Sequence, residues 1–112
     1  MIKIHNKHHK EKIVDPIYIG RPSPLGNPFS HMSNTKAEFK VSSRDEAVYM
    51  YEVWLRSKLN VDKTITSEMV KLFNIYKSSG ELNLVCWCYP NRCHGDIIKK
   101  LILEKYELEN EK

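Results

Sequence analysis

Ile2 and Ile4 alternate with Lys3 and His5, the two-residue rhythm of a strand that buries one face and wets the other, and a basic stretch from Lys7 to Lys12 follows as a solvated turn. After Asp15-Pro16, the run Ile17-Tyr18-Ile19-Gly20 predicts a second short strand, stopped by Gly20, Pro22, Pro24, Gly26 and Pro28. Ser43-Arg44-Asp45-Glu46 has the form of a capping box, with Ser43 bonding forward and Glu46 back, and predicts a helix to about Leu59. Ala47, Met50, Tyr51, Trp54, Leu55 and Leu59 recur at three- and four-residue steps and form its apolar face. A second helix is expected from near Ser67, with Met69, Leu72, Phe73 and Tyr76 on one stripe and Gly80 as its stop.

Leu82 to Cys88 is the clearest strand: Leu82, Leu84, Cys86 and Cys88 share one face, and Asn83, Val85 and Trp87 the other. With both faces largely apolar it belongs at the centre of a sheet. Pro90 and Asn91 end it, and Ile97, Ile98, Leu101 and Ile102 mark a final amphipathic helix that fades into a charged tail from about Glu104. The order β, β, α, α, β, α is that of an α/β fold with a short sheet.

A length of 112 residues, 41% of them apolar, supports one domain over residues 1–112 and no second. The net charge of +4 is spread along the chain, which suits an anionic ligand without requiring nucleic acid. No apolar run reaches signal-peptide or membrane-span length, so a cytoplasmic protein without a membrane partner is expected. The three cysteines crowd into eight residues, Cys86 to Cys93, and read better as reduced thiols than as a disulfide framework.

Two segments carry candidate chemistry. Three of five prolines and two of four glycines fall between Gly20 and Pro28, so the backbone groups of this loop point in fixed directions. Arg21 offers a forked cation suited to phosphate, and Ser23, Gly26 and Asn27 offer neutral hydrogen bonds or close backbone approach. In the other segment a strand turns into a helix through Cys93, His94, Gly95 and Asp96, and a helix N-terminus attracts anions. If the strands ending at Gly20 and Cys88 lie parallel and adjacent, both loops open onto one crevice beyond their carboxyl ends. Ligand contacts are then expected at Arg21, Ser23, Gly26, Asn27, His94, Gly95 and Asp96, with Asn6 at the end of the first strand as a further contributor.

The cysteine segment also admits two other readings. Cys93 is a candidate nucleophile with His94 or Asp96 as acid or base. Alternatively Cys86, Cys88, Cys93 and His94 form a zinc site, although the usual Cys-x2-Cys knuckle is absent. His5, His8 and His9 lack a diagnostic metal spacing and read as a solvated turn. Trp54 and Trp87 each lie on an apolar stripe and read as core rather than as base-stacking residues.

The segments Tyr18-Ile19-Gly20-Arg21-Pro22 through Gly26-Asn27-Pro28-Phe29, and Cys86-Trp87-Cys88 through Cys93-His94-Gly95-Asp96, together resemble domain-of-unknown-function family 4326, short proteins common in phages and bacteria. The similarity runs from the first strand to the last helix. It implies a small Rossmann-like domain, of two or three layers, that takes a nucleotide or nucleotide-derived small molecule as its partner; beside the resemblance, we expect no bound cofactor, and a homodimer is a further expectation. A phage setting implies either nucleotide metabolism or interference, in the host cytoplasm, with a defence that signals through modified nucleotides. An enzyme acting on the same ligand class, a hydrolase or glycosyl-transfer catalyst using Cys93, His94 and Asp96, is the alternative, and a zinc-stabilised interaction protein a second one.

Overall fold

The computed structural model describes residues 1–8, 12–30, 39–87 and 93–110. The elements are β1 (Ile2–Asn6), β2 (Pro16–Tyr18), β3 (Phe29–Ser30), β4 (Phe39–Lys40), α1 (Arg44–Lys58), α2 (Lys63–Ser79), β5 (Leu82–Cys86) and α3 (His94–Asn110). Cys88, His9 and Arg92 lie outside the described residues. The fold is mixed α/β, as the pattern of apolar positions predicts, with β3 and β4 added as a small parallel pair.

The main sheet is parallel in the order β1-β5-β2, so β5 is indeed central. Its register pairs Ile2 with Leu82, Ile4 with Leu84 and Asn6 with Cys86 on one side, and Ile17 with Leu84 and Tyr18 with Val85 on the other. Pairing and pleat together place Ile2, Ile4, Ile17, Leu82, Leu84 and Cys86 on one face. All these side chains belong to, or pack against, one buried cluster that also takes Tyr51 and Leu55 of α1, Leu72 and Phe73 of α2, and Ile98 and Ile102 of α3. The opposite face carries Lys3, His5, Asn83 and Val85, where Asn83 Oδ1 accepts from His5 Nε2 at 3.0 Å and Asn83 Nδ2 donates to the Val14 carbonyl at 2.8 Å.

The helices depart from expectation at their ends. Ser43 caps α1 by accepting the Glu46 N–H, but the Glu46 carboxylate takes the Ser42 hydroxyl instead of reaching back to Ser43. The buried stripe of α1 includes Val48, while Met50 is only half-buried. α2 begins at Lys63, four residues before Ser67, because the Asp62 side chain accepts the Ile65 N–H at 3.0 Å. The β-branched Thr64-Ile65-Thr66 disguises this first turn in sequence. Gly80, at φ 75, ends α2 as expected.

α3 continues to Asn110, through the charged stretch read in sequence as a tail. That stretch has partners: Arg56 of α1 donates to Glu104 at 2.9 Å, and Lys77 of α2 to Glu109 at 3.1 Å. Among the described residues, no helix is long and apolar enough to cross a membrane.

Candidate functional site

Because β2 and β5 are parallel neighbours, the loop after Tyr18 and the segment after Cys86 leave the sheet side by side at its carboxyl edge. The chain from Ile19 to Phe29 is a series of tight turns: the Ser23 N–H donates to the Gly20 carbonyl at 2.8 Å, and the Gly26 N–H to the Ser23 carbonyl at 2.9 Å. A Cβ on Gly26 would stand 2.9 Å from both the Cα and the N of Arg21, so only glycine allows the loop to fold back this closely on the arginine.

Two helices clasp this loop. The Tyr51 hydroxyl, fully buried on α1, donates to the Leu25 carbonyl at 2.6 Å, and Asn27 Nδ2 donates to the Ala47 carbonyl at 3.2 Å. Burial, and secondarily the neighbouring Cys93 thiol, push the Tyr51 hydroxyl well above its ordinary range, so it remains a donor at any ordinary pH. From α3, His94 Nε2 lies 2.7 Å from the Ile19 carbonyl. A carbonyl oxygen only accepts, so Nε2 carries the proton and donates. Gly95 completes the joint: a Cβ there would meet Ile19 Cδ1 at 3.1 Å and Ile4 at 3.3 Å, which is why helix and sheet approach so closely.

The residues expected to hold a ligand therefore divide. Asn27 is committed at both ends, its Oδ1 accepting the Phe29 N–H at 2.9 Å. Asn6 likewise donates to the Trp87 carbonyl at 3.1 Å and accepts the His8 N–H at 2.8 Å. His94 and Gly95 are buried and engaged in the joint with Ile19. Asp96 is exposed, and its carboxylate accepts the Cys93 N–H at 3.3 Å, which caps α3 and places a negative charge where an anion was expected to bind. Arg21 and Ser23 differ from all of these. Both are only half-exposed, yet Arg21 Nη1 and Ser23 Oγ are buried with no hydrogen-bond partner among the described residues.

The cysteine readings find two of their groups together. Cys86 and Cys93 are buried, with their sulfurs 3.3 Å apart. Cys93 is 3% exposed and His94 5%, so of the proposed catalytic set only Asp96 is exposed. Among the described residues there is no cluster of three or more histidine, cysteine or carboxylate side chains fit for a metal; Cys88, the third zinc candidate, is not among those residues.

Sequence reasoning missed the residues that join the two segments. The Tyr18 hydroxyl donates to the Arg21 carbonyl at 2.8 Å and accepts from the indole N–H of Trp87 at 2.9 Å. Lys7 Nζ sits 4.9 Å from the centre of the Tyr18 ring and 4.8 Å from that of Trp87, and the His8 ring meets the indole edge-on at 4.7 Å. Trp87 itself is 50% exposed, not core. The available signal was its place in the alternation: it shares parity with Asn83, on the face away from the helices. Trp54 does pack against the core, beside Tyr51. A cleft of about 250 Å³ lies elsewhere, between α1, α2 and α3, floored by Leu59, Met69, Phe73 and Leu101, and shares no residue with these segments.

A family model described as Domain of unknown function (DUF4326) matches residues 2–104, nearly the whole chain. The protein belongs to the DUF4326 family. Both loop segments and all three helices lie within or overlap the matched span, so the carboxyl-edge arrangement sits inside the DUF4326 domain rather than in an appended segment. No curated protein and no solved structure matches the chain.

Proposed function

We propose that this DUF4326 protein binds a small phosphate-bearing ligand, a nucleotide or nucleotide-derived signal, at the carboxyl edge of its sheet. The observation that carries the reading is the pair of buried donors Arg21 Nη1 and Ser23 Oγ on one clasped loop, neither with a partner among the described residues. A buried donor without an acceptor costs free energy, and native structures keep few of them. An anion supplies acceptors to both, and the guanidinium fork matches phosphate geometry. Parallel α/β sheets take ligands beyond their carboxyl ends, which supports the Rossmann-like reading of the site without fixing the reaction.

In this proposal Arg21 and Ser23 hold the phosphate, and Asn27, His94 and Gly95 hold the loop that presents them. Sequestration of a host signal in phage–host conflict is the biological extension of the reading, drawn from the resemblance rather than from the geometry. Calorimetry against mono-, di- and cyclic nucleotides and ADP-ribose derivatives tests it. At least one is expected to bind, and Arg21→Ala to weaken that binding by about ten- to a hundredfold, the loss of one or two charge-assisted bonds. No heat from any of them, with Arg21→Ala indistinguishable from the parent, removes the reading.

A zinc-stabilised protein is the second reading, favoured by the side-by-side thiols of Cys86 and Cys93. Metal analysis of the purified chain decides it: less than about half an equivalent of zinc, with folding unchanged by a chelator, excludes a structural site.

A further inference from the structure

We propose that Trp87 and Tyr18 form a stacking platform for the planar ring of the ligand, so that the site selects a base-bearing mononucleotide over a sugar phosphate. The inference rests on the phosphate reading above for the position of the ligand's other end, and on separate observations for the platform itself. Trp87 leaves half its surface open immediately after the central strand, yet its orientation is fixed from three sides. Its N–H bonds the Tyr18 hydroxyl, the Lys7 ammonium rests over its ring, and the His8 ring abuts it edge-on. An exposed indole with no ordering partners samples several rotamers; one held this way is already arranged for a flat partner, which lowers the entropy lost on binding.

The Tyr18 hydroxyl ties the platform to the anion site, because the same oxygen that holds the indole donates to the Arg21 carbonyl. The indole and the Arg21 backbone are thus two hydrogen bonds apart through one side chain. Tyr18 presents a second aromatic face under the same Lys7 ammonium, 4.9 Å from its centroid. A cation beside two aromatic faces attracts an anionic ligand and leaves the stacking surfaces tolerant of base identity. The ligand class that uses every part of this arrangement carries a base, a short linker and a phosphate.

The test uses the full chain with adenosine 5′-monophosphate, adenosine, ribose 5-phosphate and a short oligodeoxyadenylate as probes, read by calorimetry and by tryptophan fluorescence. Stacking on an aromatic side chain contributes roughly a ten- to hundredfold factor in affinity per base. The monophosphate is therefore expected to bind at least about tenfold more tightly than ribose 5-phosphate, and to quench fluorescence in the parent but not in Trp87→Leu. Trp87→Leu should weaken the monophosphate about tenfold or more and leave ribose 5-phosphate unchanged, whereas a structural role for Trp87 would weaken both alike. Equal affinity for monophosphate and ribose 5-phosphate overturns the platform and leaves the phosphate reading standing. Adenosine that quenches Trp87 equally in Arg21→Ala and parent, with no response to ribose 5-phosphate, does the reverse. An oligonucleotide bound far more tightly than any mononucleotide makes the platform a nucleic-acid surface and overturns the mononucleotide class. Silence from all four probes removes platform and phosphate site together.

Discussion

The helical layer and the carboxyl edge of the sheet treat polar groups in opposite ways. Where α1, α2 and α3 meet the sheet, the buried side chains are apolar, or, like Tyr51 and His94, have a carbonyl at 2.6 and 2.7 Å. At the edge, a guanidinium nitrogen and a hydroxyl are buried without partners among the described residues, and a tryptophan is held half in solvent. The first region is arranged for folding and the second against it, by an amount of the order of 1–3 kcal/mol for each buried orphan. Proteins keep such costs where a ligand removes them. The contrast also separates residue roles that look alike in sequence: Asn27, His94 and Arg21 are all polar residues in motif segments, but Asn27 and His94 hold carbonyls of the fold while Arg21 has a buried nitrogen without a partner among the described residues.

The sharpest way to break the contrast is to damage the helical layer alone. Leu84→Ala, at the fully buried centre of β5, should cost about 2–5 kcal/mol in denaturant unfolding, a large fraction of the stability of an ordinary domain. Next in size is Tyr51→Phe, which keeps the ring and leaves the Leu25 carbonyl without its donor; a loss of about 1–3 kcal/mol is expected. This variant should also weaken ligand binding, since Leu25 lies in the loop that carries Arg21 and Ser23. If Tyr51→Phe unfolds like the parent, the clasp between α1 and the loop is not what holds the site.

The same contrast explains what the sequence could reveal. Strands β1, β2 and β5, the central position of β5, the Ser43 cap and the buried stripes around Leu72 and Ile98 follow from local periodicity and packing, and all are present. The two motif segments were legible as neighbours because a parallel sheet brings loop ends together. Which member of each motif is committed to the fold was not legible, because it depends on contacts across 75 residues, as between His94 and Ile19, or 26, as between Tyr51 and Leu25. Tyr18 was hidden for the same reason: as a strand residue it reads as packing, and only the return of the chain at Trp87, 69 residues later, makes its hydroxyl a junction. The length of α3 was hidden by composition, since its charged end is stabilised by ion pairs to α1 and α2 rather than by an apolar stripe.

A smaller effect, opposite in sign, is expected at the edge. Ser23→Ala removes a buried hydroxyl that has no partner among the described residues and keeps the backbone turn, so the ligand-free protein should gain up to about 1 kcal/mol in thermal or denaturant unfolding. The same variant should bind the phosphate-bearing ligand less tightly. A stability gain with an affinity loss is the signature of a group retained for binding. A clear loss of stability in Ser23→Ala would show that the hydroxyl serves the fold and would erase the difference between the two regions.

The smallest effect lies on the outer surface of the helical layer, where polar groups are paired but wet. Lys100 and Arg56 both donate to the Glu52 carboxylate, at 3.0 Å in each case, and these bonds, Lys100 first, hold it below its ordinary value of 4.5. A folded-state value below the unfolded one means that the contribution is fully present above the unfolded value and is lost as pH falls through the lower, folded one. Glu52→Gln should therefore differ from the parent at neutral pH and converge with it in acid. Exposed ion pairs contribute only about 0.2–1 kcal/mol, so the gap should be small and should narrow further in high salt. A gap that persists into strong acid would mean that Glu52 acts through packing on α1 rather than through its charge. A small gap at neutral pH that closes in acid would show that the ion pairs of Glu52 act through charge and contribute little, which leaves the groups at the edge without partners among the described residues as those whose retention calls for a ligand.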